Sequence, residues 1–145
     1  MEKAVYGDLN DLLDKKKLND EDLIRTLFLD ILNGLEYLHE QGIAHMDIKP
    51  ENIVLGGDFN LKLIDFDLSF EEGDTALLGN GTKHYRAPEV KNKTCENPDL
   101  GDIYSAGVIL FCMKSGGYRP FLEDEKIAGI DFEDLLENNN KFFWQ

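Results

Sequence analysis

Asp47, Lys49 and Asn52 stand close together in His45-Met46-Asp47-Ile48-Lys49-Pro50-Glu51-Asn52, so one loop carries an acid, a cation and an amide. An Asp can accept the proton of a hydroxyl group. A Lys two positions on can meet a transferring phosphoryl group, and an Asn five positions after the Asp can hold Mg²⁺, which together are the parts phosphoryl transfer needs. A second acid arrives from just downstream. Ile53-Val54-Leu55 and Leu61-Lys62-Leu63-Ile64 are β-prone runs separated by Gly56-Gly57-Asp58-Phe59-Asn60, the punctuation of a hairpin. The first run leaves Asn52 and the second delivers Asp65, so two oxygen ligands from separate loops can converge on one hard cation.

The elements that position this loop are helical. Asp8 caps a short helix with leucines on one face from Leu9 to Leu13. Asn19 or Asp20 caps a second one, whose apolar positions Leu23, Ile24, Leu27, Ile31, Leu35 and Leu38 follow helical spacing until Gly42 ends it. After the hairpin, residues 70–80 lose periodicity and gain Glu, Gly and Asp. Residues 102–114 are apolar around nearly the whole circumference, as in a buried helix, and Gly116-Gly117 stops it. Residues 130–138 read as a short amphipathic helix. The sequence contains no repeats and no low-complexity tract.

The 145 residues fall within the size range of one domain, and their formal charge of −14 excludes the basic face of a nucleic-acid-binding protein. Lys15-Lys16-Lys17 is too short to supply such a face and reads as a solvated helix end. Cys95 and Cys112 are too few for a disulfide framework and have no metal-ligand spacing, Cys112 reading as core. No apolar run approaches membrane-spanning length and no charged-then-apolar leader opens the chain, so a cytoplasmic compartment with no membrane partner is the expectation. Nothing in the sequence speaks to oligomeric state.

The loop resembles the catalytic loop of eukaryotic protein kinases, H-R-D-x-K-x-x-N, with Met46 in place of the usual Arg. Downstream, Asp65-Phe66-Asp67 resembles D-F-G with its last residue changed. The stretch from Gly81-Thr82 to Ala87-Pro88-Glu89 resembles G-T-x-x-Y-x-A-P-E, and Asp102-Ile103-Tyr104-Ser105-Ala106-Gly107 resembles D-x-W-S-x-G. All four strings stand in the family's order. The resemblance implies an α+β, mainly α-helical fold: a kinase-like C-terminal lobe with a small β-hairpin. Residues 1–145 would form a partial kinase domain, from a hinge at 1–4 to just after the first helix that follows the central one. No G-x-G-x-x-G and no V-A-I-K-like strand precedes His45, so the lobe that covers the nucleotide is expected to lie outside these residues.

By that resemblance the chain is a serine/threonine protein kinase lobe that uses ATP and Mg²⁺ on a protein or peptide substrate. Asp47 orients the acceptor hydroxyl and takes its proton, while Lys49 neutralises γ-phosphoryl charge. Asn52 and Asp65 hold Mg²⁺. Val54 floors the adenine site, although any buried strand residue reads alike. Thr82 hydrogen-bonds Asp47 and Lys49, as in members acting on Ser and Thr. Glu51 reads equally as an acid that meets a basic substrate or as a solvated side chain. His45 and Phe66 stack in a spine anchored by Asp102, His39 is structural and His84 solvated. Met46 removes the cation that would read a phosphorylated Thr75. Asp67 either restricts its motif or adds an acid beside the metal. A pseudokinase-like binding scaffold is the alternative suggested by Met46 and Asp67.

Overall fold

The computed structural model describes residues 6–14, 18–71, 84–92, 96–117 and 120. Thr82, Thr75, Cys95, the three-lysine run, the expected hinge and the expected helix over 130–138 all lie outside them.

The chain opens on helix α1 (Leu9–Asp14), where Asp8 Oδ1 accepts from Asp11 N–H and Asp11 Oδ2 accepts from Asp8 N–H, a reciprocal cap. Helix α2 (Glu21–Glu40) is capped by Asp20, which accepts from Asp22 and Leu23 N–H at 2.8 and 3.1 Å. Its buried stripe is Ile24, Leu27, Ile31 and Leu35. Leu23 is 42 % exposed, contrary to expectation, because it falls on the flank of that stripe. Gly42 leaves the helix end with φ of 73°, a conformation glycine adopts without strain.

Strand β1 (Ile43–Ala44) runs into the loop 45–49, a 3-10 turn over Pro50–Asn52 and the hairpin of β2 (Ile53–Leu55) and β3 (Leu61–Leu63). The hairpin is antiparallel, pairing Ile53 with Leu63 and Leu55 with Leu61, as its turn residues predict. Residues 70–71 do not begin an irregular segment: they form β4 (Phe70–Glu71), which pairs antiparallel with β1, Ile43 opposite Glu71. Backbone pairing across the sheet supplies order that a two-residue strand cannot signal by period.

Helix α3 (Pro88–Lys91) precedes the long helix α4 (Pro98–Ser115). Helix α4 starts earlier than residue 102, since Asn97 caps it by accepting from Asp99 N–H and Pro98 occupies its first turn. Its burial is not all-round either: Leu100 and Ile103 are 58 % and 47 % exposed, while Asp102, Ser105, Ile109, Cys112 and Met113 are buried. Gly116 ends it with φ of 79°. Helices α1, α2 and α4 and the hairpin enclose one core that includes Leu9, Ile31, Leu35, Ile53, Ile109 and Met113. A Lys114–Glu21 ion pair ties the end of α4 to the start of α2. Ala44, Met46, Ala87 and Val90 make a second, smaller cluster beside the loop 45–49.

Candidate active site

The loop 45–52 is held from below by one buried carboxylate. Asp102, on α4, is 1 % exposed. Its Oδ2 accepts from His45 N–H at 2.7 Å and its Oδ1 from Met46 N–H at 2.8 Å. His39, at the end of α2, brings Nε2 within 2.9 Å of the same Oδ2 and 3.8 Å of Asp99. The hydrogen bond to Asp102 raises the His39 pKa above its ordinary value; burial opposes this, and the charges of Asp102 and Asp99 add to it. The expectation that His39 and Asp102 are structural therefore has a definite geometry.

His45 is fully buried and both of its ring nitrogens are engaged. Nδ1 accepts from Asp47 N–H at 3.2 Å, which makes Nε2 the donor to Ile64 O at 2.8 Å. No nitrogen remains for proton transfer, and the ring packs against Phe66 at 5.1 Å between centroids with a 54° tilt, as the expected spine requires. Through Ile64 the same ring links the loop to the strand that ends at Asp65. Met46 takes a left-handed φ of 68° and turns into the apolar cluster with Ala87 and Val90.

Asp47 is 9 % exposed, and its Oδ2 lies 3.4 Å from Lys49 Nζ and 3.2 Å from Asn52 Nδ2. Asn52 Nδ2 also donates to Asp47 O at 2.9 Å. The acid, the cation and the amide are thus brought together as their spacing suggested. Because the Asn52 amide nitrogen is committed to Asp47, its Oδ1 is the end left to face a cation. Ile64 N–H donates to Asn52 O at 2.9 Å, so the residue after Ile64, Asp65, is delivered beside Asn52 by backbone pairing. Asp65 is exposed and adopts φ of 62°, and Asp67 N–H reaches its Oδ1 at 3.4 Å.

Asn52 and Asp65 are hard oxygen donors that suit Mg²⁺, an ion held by one or two protein oxygens together with substrate phosphates. Among the described residues no group of three or more His, Cys, Asp and Glu could hold a metal by itself. Val54 lies on β2, 7 % exposed and bridged to Asp8, and offers only a narrow face to a ligand. Glu51 is exposed, whereas His84 is half-buried rather than solvated, because Tyr85 beside it is drawn into the core. The residue sequence inspection passed over is Ser105, whose Oγ donates to Tyr85 O at 2.5 Å. Its signal was its place one helical turn after Asp102, on the same face of α4.

Residues 1–142 match the family described as protein kinase domain. The chain is 39 % identical over 137 residues to an SNF1-related protein kinase catalytic subunit alpha of Arabidopsis thaliana, covering 93 % of this chain and 27 % of that protein. It is 38 % identical over 133 residues to the serine/threonine protein kinase OSK3 of Oryza sativa, covering 90 % and 26 %. A third relative, CBL-interacting protein kinase 29 of Oryza sativa, is 41 % identical over 120 residues, covering 81 % of this chain and 27 % of its own length. The chain thus spans about a quarter of the length of the curated relatives it matches.

Proposed function

We propose that this chain, which belongs to the protein kinase family, forms the catalytic lobe of a serine/threonine protein kinase that transfers the ATP γ-phosphoryl group to Ser or Thr hydroxyls of proteins. The observation that carries this is the convergence of Asp47 Oδ2 with Lys49 Nζ at 3.4 Å and Asn52 Nδ2 at 3.2 Å, beside the strand that delivers Asp65. Relatives named as serine/threonine protein kinases support the acceptor class.

Asp47 orients the acceptor hydroxyl and takes its proton as the phosphoryl group departs from ATP. Its Oδ2, held by Lys49 and Asn52, cannot swing away. Lys49 offers positive charge to the γ-phosphoryl oxygens. Asn52 Oδ1 and the Asp65 carboxylate hold Mg²⁺, which when bound neutralises charge on the phosphates. By the family resemblance the substrate side would be completed by Thr82, which lies outside the described residues, and Val54 supports the adenine ring. The charge of −14 and the exposed Glu51 favour a basic peptide around the acceptor. Such a reaction belongs in the ATP-rich cytoplasm.

The test is transfer of radiolabelled phosphate from Mg-ATP to basic Ser- and Thr-containing peptides by the natural protein, with whatever flanking sequence it carries. Substitution Asp47→Asn should lower kcat by about 100-fold or more, the span of a general base, and Asp65→Asn should weaken Mg²⁺ dependence. Residues 1–145 alone should turn over poorly, because the glycine-rich nucleotide cover is not among them and transfer depends on holding both reactants. Transfer that survives Asp47→Asn would refute the assignment. Partner binding without transfer in the natural protein would favour the scaffold alternative.

A further inference from the structure

Tyr6 and Phe59 form a stacked pair outside both core clusters. Their ring centroids lie 4.9 Å apart with planes 16° from parallel, yet the rings remain 47 % and 65 % exposed. Phe59 stands last in the loop 57–59 that joins β2 to β3, where Gly56 N–H donates to Asn60 O and Phe59 N–H to Gly56 O, both at 3.0 Å. It takes φ of 62°, the left-handed position that three-residue hairpin loops usually give to glycine. A residue with a Cβ adopts that conformation at a cost, so a phenylalanine there needs an offsetting contact. Tyr6 supplies it. The same residue begins a run of chain along β2: Tyr6 N–H donates to Leu55 O at a long 3.4 Å, Leu55 N–H donates to Gly7 O at 3.0 Å, and Asp8 bridges Val54 antiparallel. Strand alternation turns Ile53 and Leu55 toward the core and Val54 to the opposite face. The segment 6–8 therefore lies beside the one β2 residue that faces away from the core, and the stack fastens it at the tip of the hairpin.

We propose that the Tyr6–Phe59 stack is a clasp, and that its two rings are positioning residues for the nucleotide: by fastening the segment 6–8 along β2 they fix the edge of the surface that Val54 offers. The claim deepens the kinase reading and rests on it, since that reading puts adenine against Val54. With the clasp open, only the backbone bonds hold the segment, and one of them is long. The nucleotide then binds the clasped fraction of molecules, and its apparent affinity falls in proportion to that fraction. The contacts that join Asp47 to Lys49 and Asn52 involve neither ring. Opening the clasp thus weakens nucleotide binding and leaves the acid, the cation and the amide in place.

The experiment is steady-state kinetics of Phe59→Gly in the natural protein, with Mg-ATP and a basic serine peptide as probes. This variant removes the ring and relieves the left-handed backbone together, so the fold has no reason to weaken. The KM for Mg-ATP should rise about threefold to tenfold, the span of one lost aromatic pair. Both kcat and the peptide KM should stay within about twofold of the parent. Tyr6→Ala should reproduce the rise, and the double variant should add nothing to it, because both changes remove one contact. Tyr6→Phe keeps the stack and should keep the parental KM. Amide hydrogen exchange supplies a readout independent of transfer: in Phe59→Gly it should quicken at Tyr6 and Leu55, the donors between the segment and β2, and stay unchanged at Ile64, which donates to Asn52 O. An unchanged KM for Mg-ATP, or a rise accompanied by parallel loss of kcat, peptide affinity and Tm as from a merely structural role, overturns the proposal. If the parent transfers no phosphate, the kinase reading fails. Equal Mg-ATP affinity of parent and Phe59→Gly by calorimetry, or unaltered exchange at Tyr6 and Leu55, then overturns the clasp separately.

Discussion

Replacing Asp102 by Ala should be strongly destabilising, because this carboxylate accepts from two buried backbone donors. The His45 and Met46 N–H groups would lose acceptors at 2.7 and 2.8 Å. A buried donor left without a partner costs about 1–3 kcal/mol, so the pair amounts to about 2–6 kcal/mol before the His39 contact is counted. The cavity of about 10 Å³ beside Asp102 would merge with the vacated side-chain volume and admit a water that satisfies one of the two donors. That moves the expectation to about 3 kcal/mol, a large part of the 5–15 kcal/mol available to a folded protein. In urea, with a slope of about 1–3 kcal/mol per molar, the midpoint should fall by about 1–3 M at constant slope. Asp102→Asn keeps one acceptor oxygen and should lose about half as much. Under conditions where the variant remains folded, phosphate transfer should still fall by more than about tenfold, since the backbone that aims Asp47 is no longer held. A midpoint within about 0.3 M of the parent, or a folded Asp102→Ala protein with parental kcat, would refute the view that this carboxylate supports the loop.

Three further outcomes follow from neighbouring contacts. The raised pKa of His39 means that its stabilising contribution is fully present below the unfolded value of about 6.5 and is lost as pH rises through the folded value; the stability gap between the parent and His39→Gln should narrow from pH 5.5 to pH 9, and a constant gap would contradict it. Gly101→Ala would place a Cβ 2.9 Å from Val90 Cγ2 and force α3 off α4, which should destabilise by about 1–3 kcal/mol in urea titrations. Thr75→Glu should leave the transfer rate within about twofold of the parent, because Met46 is packed with Ala44, Ala87 and Val90 and offers no cation to a new negative charge; strong activation would show that another group reads it.

What could be read from the sequence is what local chemistry encodes. The hairpin that sets Asp65 beside Asn52 was legible because both strands and their turn lie within a dozen residues, and the caps at Asp8 and Asp20 because a cap acts on its own helix. The early start of α4 was legible too, in Asn97-Pro98, but the resemblance to D-x-W-S-x-G drew the boundary to Asp102 instead. The pairing of Phe70–Glu71 with Ile43–Ala44 was not legible, since two residues have no period and their partner lies on the far side of the hairpin. Nor does periodicity distinguish Leu23, which is exposed, from Ile24, which is buried.

The loop at 45–52 shows why the remaining part resisted local reading. Its residue types announce the chemistry, yet its shape depends on a carboxylate 57 residues away and on a ring nitrogen bonded to a carbonyl 19 residues away. Met46 at φ of 68° and Asp65 at φ of 62° are not glycine, so these left-handed conformations persist only because tertiary bonds hold the adjoining backbone. Helix α4 therefore has to be in place before Asp47 can point correctly. A substitution that loosens Asp102 should disable transfer at temperatures where α1, α2 and the hairpin are still folded, with loss of activity preceding loss of helical signal in a thermal scan.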